Sequence, residues 1–287
     1  MNKKLLATLI GLLLAGTTLC AQSSVWKVTR DRRTVYIGGT CQLIRAADYP
    51  LPKEFDQALA AATQVFFETD PVRLQSPETQ QLINSRAMAA DGNTLDKIIS
   101  PENWKSVQEI CGMAGIPEEN MSKVRAWRCR AMLLSVEMQK QGIVPNEMDT
   151  YLFRKTLGTP KLVTGLDTVE QSIDYLTRPG TGREGEIIDY TLKEIAGLSA
   201  RQDALIKAWR TGDLAKLDEL LLKNLRHDHP TLLRELVTQR SSDWLPKIEA
   251  LFQTSKAKLV LVDIGHLPGP EGLLAQLRQR SYTVEQL

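Results

Sequence analysis

Residues 258–262, Lys-Leu-Val-Leu-Val, have the pattern of a strand buried inside a sheet: a short apolar run that stops at a Gly/Pro-rich turn over 263–272. A strand of that kind needs hydrogen-bonding neighbours, yet this one lies almost at the end of the chain. The other strand patterns are few and distant. Over 25–29 the residues alternate, with Val25, Lys27 and Thr29 on one face and Trp26 and Val28 on the other. Asp31-Arg32-Arg33 reads as a polar turn, and 34–37 as a second strand ending at Gly38-Gly39, so the two predict a hairpin. Shorter runs at 64–67, 161–164 and 282–284 complete the set.

Between these segments the apolar spacing is helical. A helix is predicted over 53–63, with Phe55, Leu59 and Ala62 on one face. Further helices are predicted at 95–99, 104–114 and 121–141, separated by Pro101, Gly115-Ile116-Pro117 and Gly142. The region 168–252 is also helical, broken at Pro179-Gly180, Thr211-Gly212-Asp213 and His229-Pro230, and a last helix spans 273–280. The fold class is therefore α/β: a mixed sheet built from strands at both ends and the middle of the chain, with long helical insertions. One insertion covers about 72–157, and residues 22–287 are expected to form a single domain.

Residues 1–21 read as a secretory signal. Lys3 and Lys4 precede an apolar stretch over 5–16 interrupted only by Thr8, which is too short for the roughly 20 residues of a membrane-spanning helix. Cleavage is expected after Ala21, leading to a periplasmic or extracellular location. Cys20 offers a lipoprotein alternative, which the bulk of Leu19 before it disfavours. No later segment is long and apolar enough to span a membrane. The chain carries 36 Lys and Arg against 34 Asp and Glu, and the surplus is Lys3 and Lys4. From Gln22 onward the charges balance, which argues against a nucleic-acid partner. In an exported chain Cys111 and Cys129 form either a disulfide or, with Cys41, a set of buried thiols.

Three strand ends carry polar residues: Gly39-Thr40-Cys41-Gln42, Glu68-Thr69-Asp70 and Asp263-Ile264-Gly265-His266. Ligands in α/β folds bind beyond such ends. Asp263 and His266, three apart across a turn, can face the same space. With Glu68 they make two carboxylates and an imidazole, a donor set for Mn, Zn or Fe. His227-Asp228-His229 reads as a solvated helix end, and Arg240 as either a surface ion pair or a bidentate grip on a carboxylate or substrate oxygen. No Gly-x-Ser-x-Gly elbow, Walker loop or His-Glu-x-x-His is present.

Five ordered blocks carry a family resemblance. They are Trp26 through Gly39-Thr40 with Tyr49-Pro50-Leu51-Pro52; Gly165-Leu166-Asp167-Thr168-Val169-Glu170-Gln171; Ala208-Trp209-Arg210-Thr211-Gly212-Asp213; Arg240-Ser241-Ser242-Asp243-Trp244; and the terminal block from Val260 to Leu274. In these the chain resembles the TraB/GumN/Tiki family over nearly its whole length beyond the leader. The resemblance implies an α/β fold and metal-dependent peptidase chemistry, with two Gly-x-x-His motifs and an acidic residue at the metal site. Carried over, it implies Glu68, His266 and Arg240 as catalytic residues, and Glu68, Asp263, His266 and Gln42 around a divalent metal such as Mn, Co or Zn. It also implies Arg240, Ser241 and Thr40 as positions touching a peptide or protein substrate. Three positions depart from the pattern: Gln42 stands where a His is expected, Asp263 where a Gly is, and Ser241 where an Asn is. A neutral amide oxygen is a weak metal donor. Two accounts follow, an exported hydrolase with an altered metal site or a protein of the same fold that binds a peptide or other partner without catalysis.

Overall fold

The computed structural model describes residues 22–89 and 92–287, so the expected signal segment lies outside the described residues. Six strands form one sheet: β1 (Val25–Arg30), β2 (Arg33–Thr40), β3 (Gln64–Thr69), β4 (Leu162–Asp167), β5 (Lys258–Asp263) and β6 (Thr283–Gln286). Their order is β4-β3-β5-β2-β1-β6. β5 lies inside the sheet, parallel to β2 on one flank and β3 on the other, and Leu259 to Val262 are almost fully buried. β3 pairs in parallel with β4, while β1 runs antiparallel to both β2 and β6. The sheet is thus mixed.

The β1–β2 hairpin turns at Asp31 and Arg32, both left-handed (φ 49° and 63°), the conformation of a tight hairpin turn that follows the strands' twist. Arg33 belongs to β2 rather than to the turn, and β2 continues through the two glycines to Thr40. β3 and β4 also outrun the apolar segments that mark them in sequence, reaching Thr69 and Asp167. Backbone pairing with a neighbour prolongs a strand beyond its apolar run, and Thr69 pairs with Asp167.

Helices start where their caps dictate. Ser100 caps Pro101–Met113, and Thr168 with Gln171 forms a reciprocal capping box on Val169–Thr177. One core lies on the sheet, around Trp26, Phe55, Trp209 and Trp244. A second lies among helices and draws on both Leu95, Val107, Cys111 and Leu133 and Ile187, Ile188, Leu222 and Leu232. The helices over 95–140 therefore form one layer together with helices beyond β4, whereas Met148 and Leu152 of the helix Glu147–Arg154 pack in the sheet core. Cys41, Cys111 and Cys129 are free and buried, and burial pushes the Cys111 thiol up to about 11 and the Cys41 thiol to about 12. Of the two readings for Cys111 and Cys129, the structure has the buried thiols. Among the described residues no helix is long and apolar enough to cross a membrane.

At the β3–β4 end, Gly165 leaves no room for a side chain. A Cβ there would lie 2.6 Å from the Asp70 nitrogen and 2.7 Å from the Asp167 oxygen, both backbone atoms that cannot step aside. Gly165→Ala is expected to destabilise the fold by about 1–3 kcal/mol, read as a lower midpoint in urea unfolding.

Candidate functional site

Parallel pairing brings the carboxyl ends of β2, β5, β3 and β4 to one rim of the sheet, at Thr40, Asp263, Thr69 and Asp167. Residues more than two hundred positions apart meet there because the sheet, not the local sequence, sets their distance. Above the rim lies a cavity of about 730 Å³. Its floor carries Gln42, Glu68, Asp263 and His266 from the strand ends, with Arg240 beside them. Its walls come from the helical layer and include Trp127, Leu134, Met138, Leu221 and Leu236.

Arg240 organises the floor. Its Nη1 donates to Glu68 Oε2 at 2.6 Å and its Nε to Asp167 Oδ2 at 2.9 Å. The guanidinium lies 4.6 Å from the Trp244 ring centroid and 5.3 Å from that of Tyr175, so aromatic faces hold its plane. It is the second residue of the helix Gln239–Ala250, which directly follows five residues, Arg234–Thr238, wound as a π-helix. Such a wide turn re-aims the side chains that follow it. Asp167 has no side-chain exposure, and its second oxygen accepts from Lys247 Nζ at 2.9 Å.

Glu68 is likewise filled, because its Oε1 accepts the Asp263 backbone N–H at 2.8 Å. Burial works to raise the Glu68 pKa, but the Arg240 charge, with His266 and that N–H, outweighs it and holds the carboxyl below its ordinary range. Asp263 and Asp149 go the other way. Burial, then the Glu68 charge, lifts Asp263 to about 7 and Asp149 to about 6. Asp263 Oδ1 accepts the Gly265 N–H at 2.9 Å, which shapes the turn leading to His266.

His266 is 6% exposed and packs edge-on against Trp244, with ring centroids 4.7 Å apart. Ser241 Oγ donates to the Val237 carbonyl at 3.0 Å, so its lone pairs are left to receive the His266 Nδ1 proton at 2.9 Å. That pattern assigns the proton to Nδ1 and leaves Nε2 as a lone pair. Burial first, with the Arg240 charge, pushes the imidazole down to about 4 against the pull of Glu68, so His266 is neutral at neutral pH.

The strand-end residues thus meet, but not as the family's metal site would have them. Gln42 is tied at both ends of its amide: Nε2 donates to Asp149 Oδ2 at 2.8 Å and Oε1 accepts the Asn146 N–H at 3.0 Å. It works as a strut between β2 and the helix Glu147–Arg154 rather than as a free donor. Among the described residues no group of three or more His, Cys, Asp and Glu is arranged to hold a metal ion. With Glu68 paired to a guanidinium and Gln42 spent on the backbone, the donor set does not fit a divalent ion. Ser241 and Thr40, expected to touch substrate, are instead buried and do not line the cavity. Ser241 orients His266, and Thr40 stands opposite Asp263 in the sheet. Cys41 is core, as alternation away from Gln42 requires. Asp70 caps Pro71–Leu74, and His227 is exposed beside Asp228.

Asp149, Asp167, Tyr175 and Lys247 complete the site without having stood out as candidates. Asp167 ends a strand, the same signal that marked Asp263, and could have been found by it. Asp149 sits in the first turn of a helix, where an acid looks like an ordinary complement to the helix dipole. The resembling blocks also find their use: Trp209 Nε1 donates to the Gly39 carbonyl at 2.8 Å, and Arg210 Nη2 to the Pro50 carbonyl at 3.2 Å, tying the interior block to the opening one.

No curated protein and no solved structure matches the chain. The pattern of one family, TraB/PrgY/gumN, matches residues 24–286, which takes in all six strands and every residue of the rim site. The chain belongs to the TraB/PrgY/gumN family.

Proposed function

We propose that this protein captures a peptide in the rim cavity and holds it without hydrolysing it. The carrying observation is the commitment of the motif donors to one another: Gln42 to Asn146 and Asp149, and Glu68 to Arg240 and the Asp263 N–H. A metal-bound water would need those lone pairs free. The cavity itself suits capture, since apolar walls surround a few convergent polar groups on a rigid floor. An exported location, periplasmic or extracellular, belongs to the same proposal and rests on residues 1–21.

Metal-dependent peptide hydrolysis through Glu68, Asp263 and His266 is the second reading, favoured by their convergence on one cavity. A defined peptide library incubated with the protein, with and without Mn, Co or Zn, separates the two by mass spectrometry. Capture predicts a retained, uncleaved subset that is the same in all conditions. New termini that depend on added metal and vanish in His266→Ala would establish hydrolysis instead.

A further inference from the structure

Four acids line the cavity, and two of them lack a basic partner. Glu68 is matched by Arg240 at 2.6 Å and Glu194 by Arg130 at 2.7 Å. Asp149 and Asp263 form no ion pair among the described residues. One oxygen of Asp149 receives the Gln42 amide and one of Asp263 the Gly265 N–H, which leaves each carboxylate lone pairs to spare. Independently, His266 is more than nine-tenths buried, lines the same cavity, and has no partner at Nε2 among the described residues. The cavity therefore gathers three acceptors, each with a lone pair to spare, and no cation among the described residues pairs with any of them.

We propose that Asp149, Asp263 and His266 Nε2 receive a primary ammonium, the amino terminus of the captured peptide. The inference rests on the capture reading and names the part of the peptide that is recognised. An ammonium brings three donors to three acceptors. Hydrogen bonds span about 2.8–3.0 Å, whereas metal–ligand bonds need about 2.0–2.3 Å. Acceptors that line one cavity without being arranged to hold a metal suit the longer reach. Arg240 lines the cavity too, and its Nη2 has no acceptor among the described residues, so it is placed for the first peptide carbonyl. Phe67, Leu134, Met138 and Leu236 give an apolar first side chain somewhere to lie.

The test is calorimetric titration with three probes: leucyl-leucinamide, its N-acetyl form, and N-acetyl-lysyl-leucinamide. The free amino terminus is expected to bind at least tenfold more tightly than either acetylated peptide. In Asp149→Asn/Asp263→Asn that advantage is expected to vanish, so that leucyl-leucinamide and its N-acetyl form bind alike. Equal binding of all three peptides would overturn the ammonium site and leave capture standing. Preference for the lysyl probe would overturn the assignment to an amino terminus. No binding of any peptide would overturn both readings.

Discussion

Arg240→Met is expected to cost the fold about 3–5 kcal/mol, because it leaves Glu68 without its cation and takes one of two from Asp167. In a chain of this size that lowers the melting temperature by roughly 10 °C. The side chains involved are 15%, 25% and 0% exposed, so water does little to replace the lost guanidinium. The loss should be smaller in Arg240→Met/Glu68→Met, where no carboxylate is stranded at the β3 end, and the difference between the variants measures their coupling. A fall of less than about 1 kcal/mol in the single variant would mean the network is a surface ion pair. Melting by circular dichroism decides between them.

Asp263→Asn is expected to work in the opposite direction. An acid whose pKa rises from 3.8 unfolded to about 7 folded binds more protons in the native state between those values. Stability therefore falls as pH rises from about 4 to 7 and stays low above it. Asp149, raised to about 6, adds to the same slope. Glu68 is depressed, so its contribution is present above its unfolded pKa and is lost as pH falls through the folded one. Together these place the stability optimum of the free protein in mildly acid solution. Removing the Asp263 charge should stabilise the protein at pH 8 by an amount capped at about 4 kcal/mol, taking about 1.4 kcal/mol per pH unit from 3.8 to about 7. The asparagine oxygen can still accept the Gly265 N–H, so the turn survives. At pH 4 the variant and the parent should melt together, and a variant that is no more stable at pH 8 would contradict the assignment.

Both predictions concern charges whose surroundings the sequence only half reveals. The strands at both ends were readable because β5 is apolar throughout and the hairpin alternates, patterns that depend on neighbours only two residues away. That β2, β3, β4 and β5 run parallel, and so deliver Thr40, Thr69, Asp167 and Asp263 to one rim, depends on pairings up to about two hundred residues apart. Glu68, Asp263, His266 and Arg240 could be picked out as polar groups at strand ends or in family blocks, and they share one cavity. Their bonding could not be picked out. Gln42 looks like a weakened ligand in sequence because its partners, Asn146 and Asp149, lie more than a hundred residues away. Ser241 stands in sequence as a position touching substrate by resemblance, whereas in the fold it is buried behind a π-helical turn and turned onto His266. Asp149 is invisible for the same reason, since an acid at a helix start has an ordinary explanation that needs no site.

The central claim is that the rim groups are committed to each other and await a peptide rather than a metal. Calorimetric titration of MnCl2, CoCl2 and ZnCl2 into the protein, beside His266→Ala and Glu68→Ala, tests it most directly. The account predicts no saturable one-to-one binding in the parent that either variant abolishes. Stoichiometric binding of any one of these ions, lost in both variants, would contradict it and make the altered hydrolase the better reading.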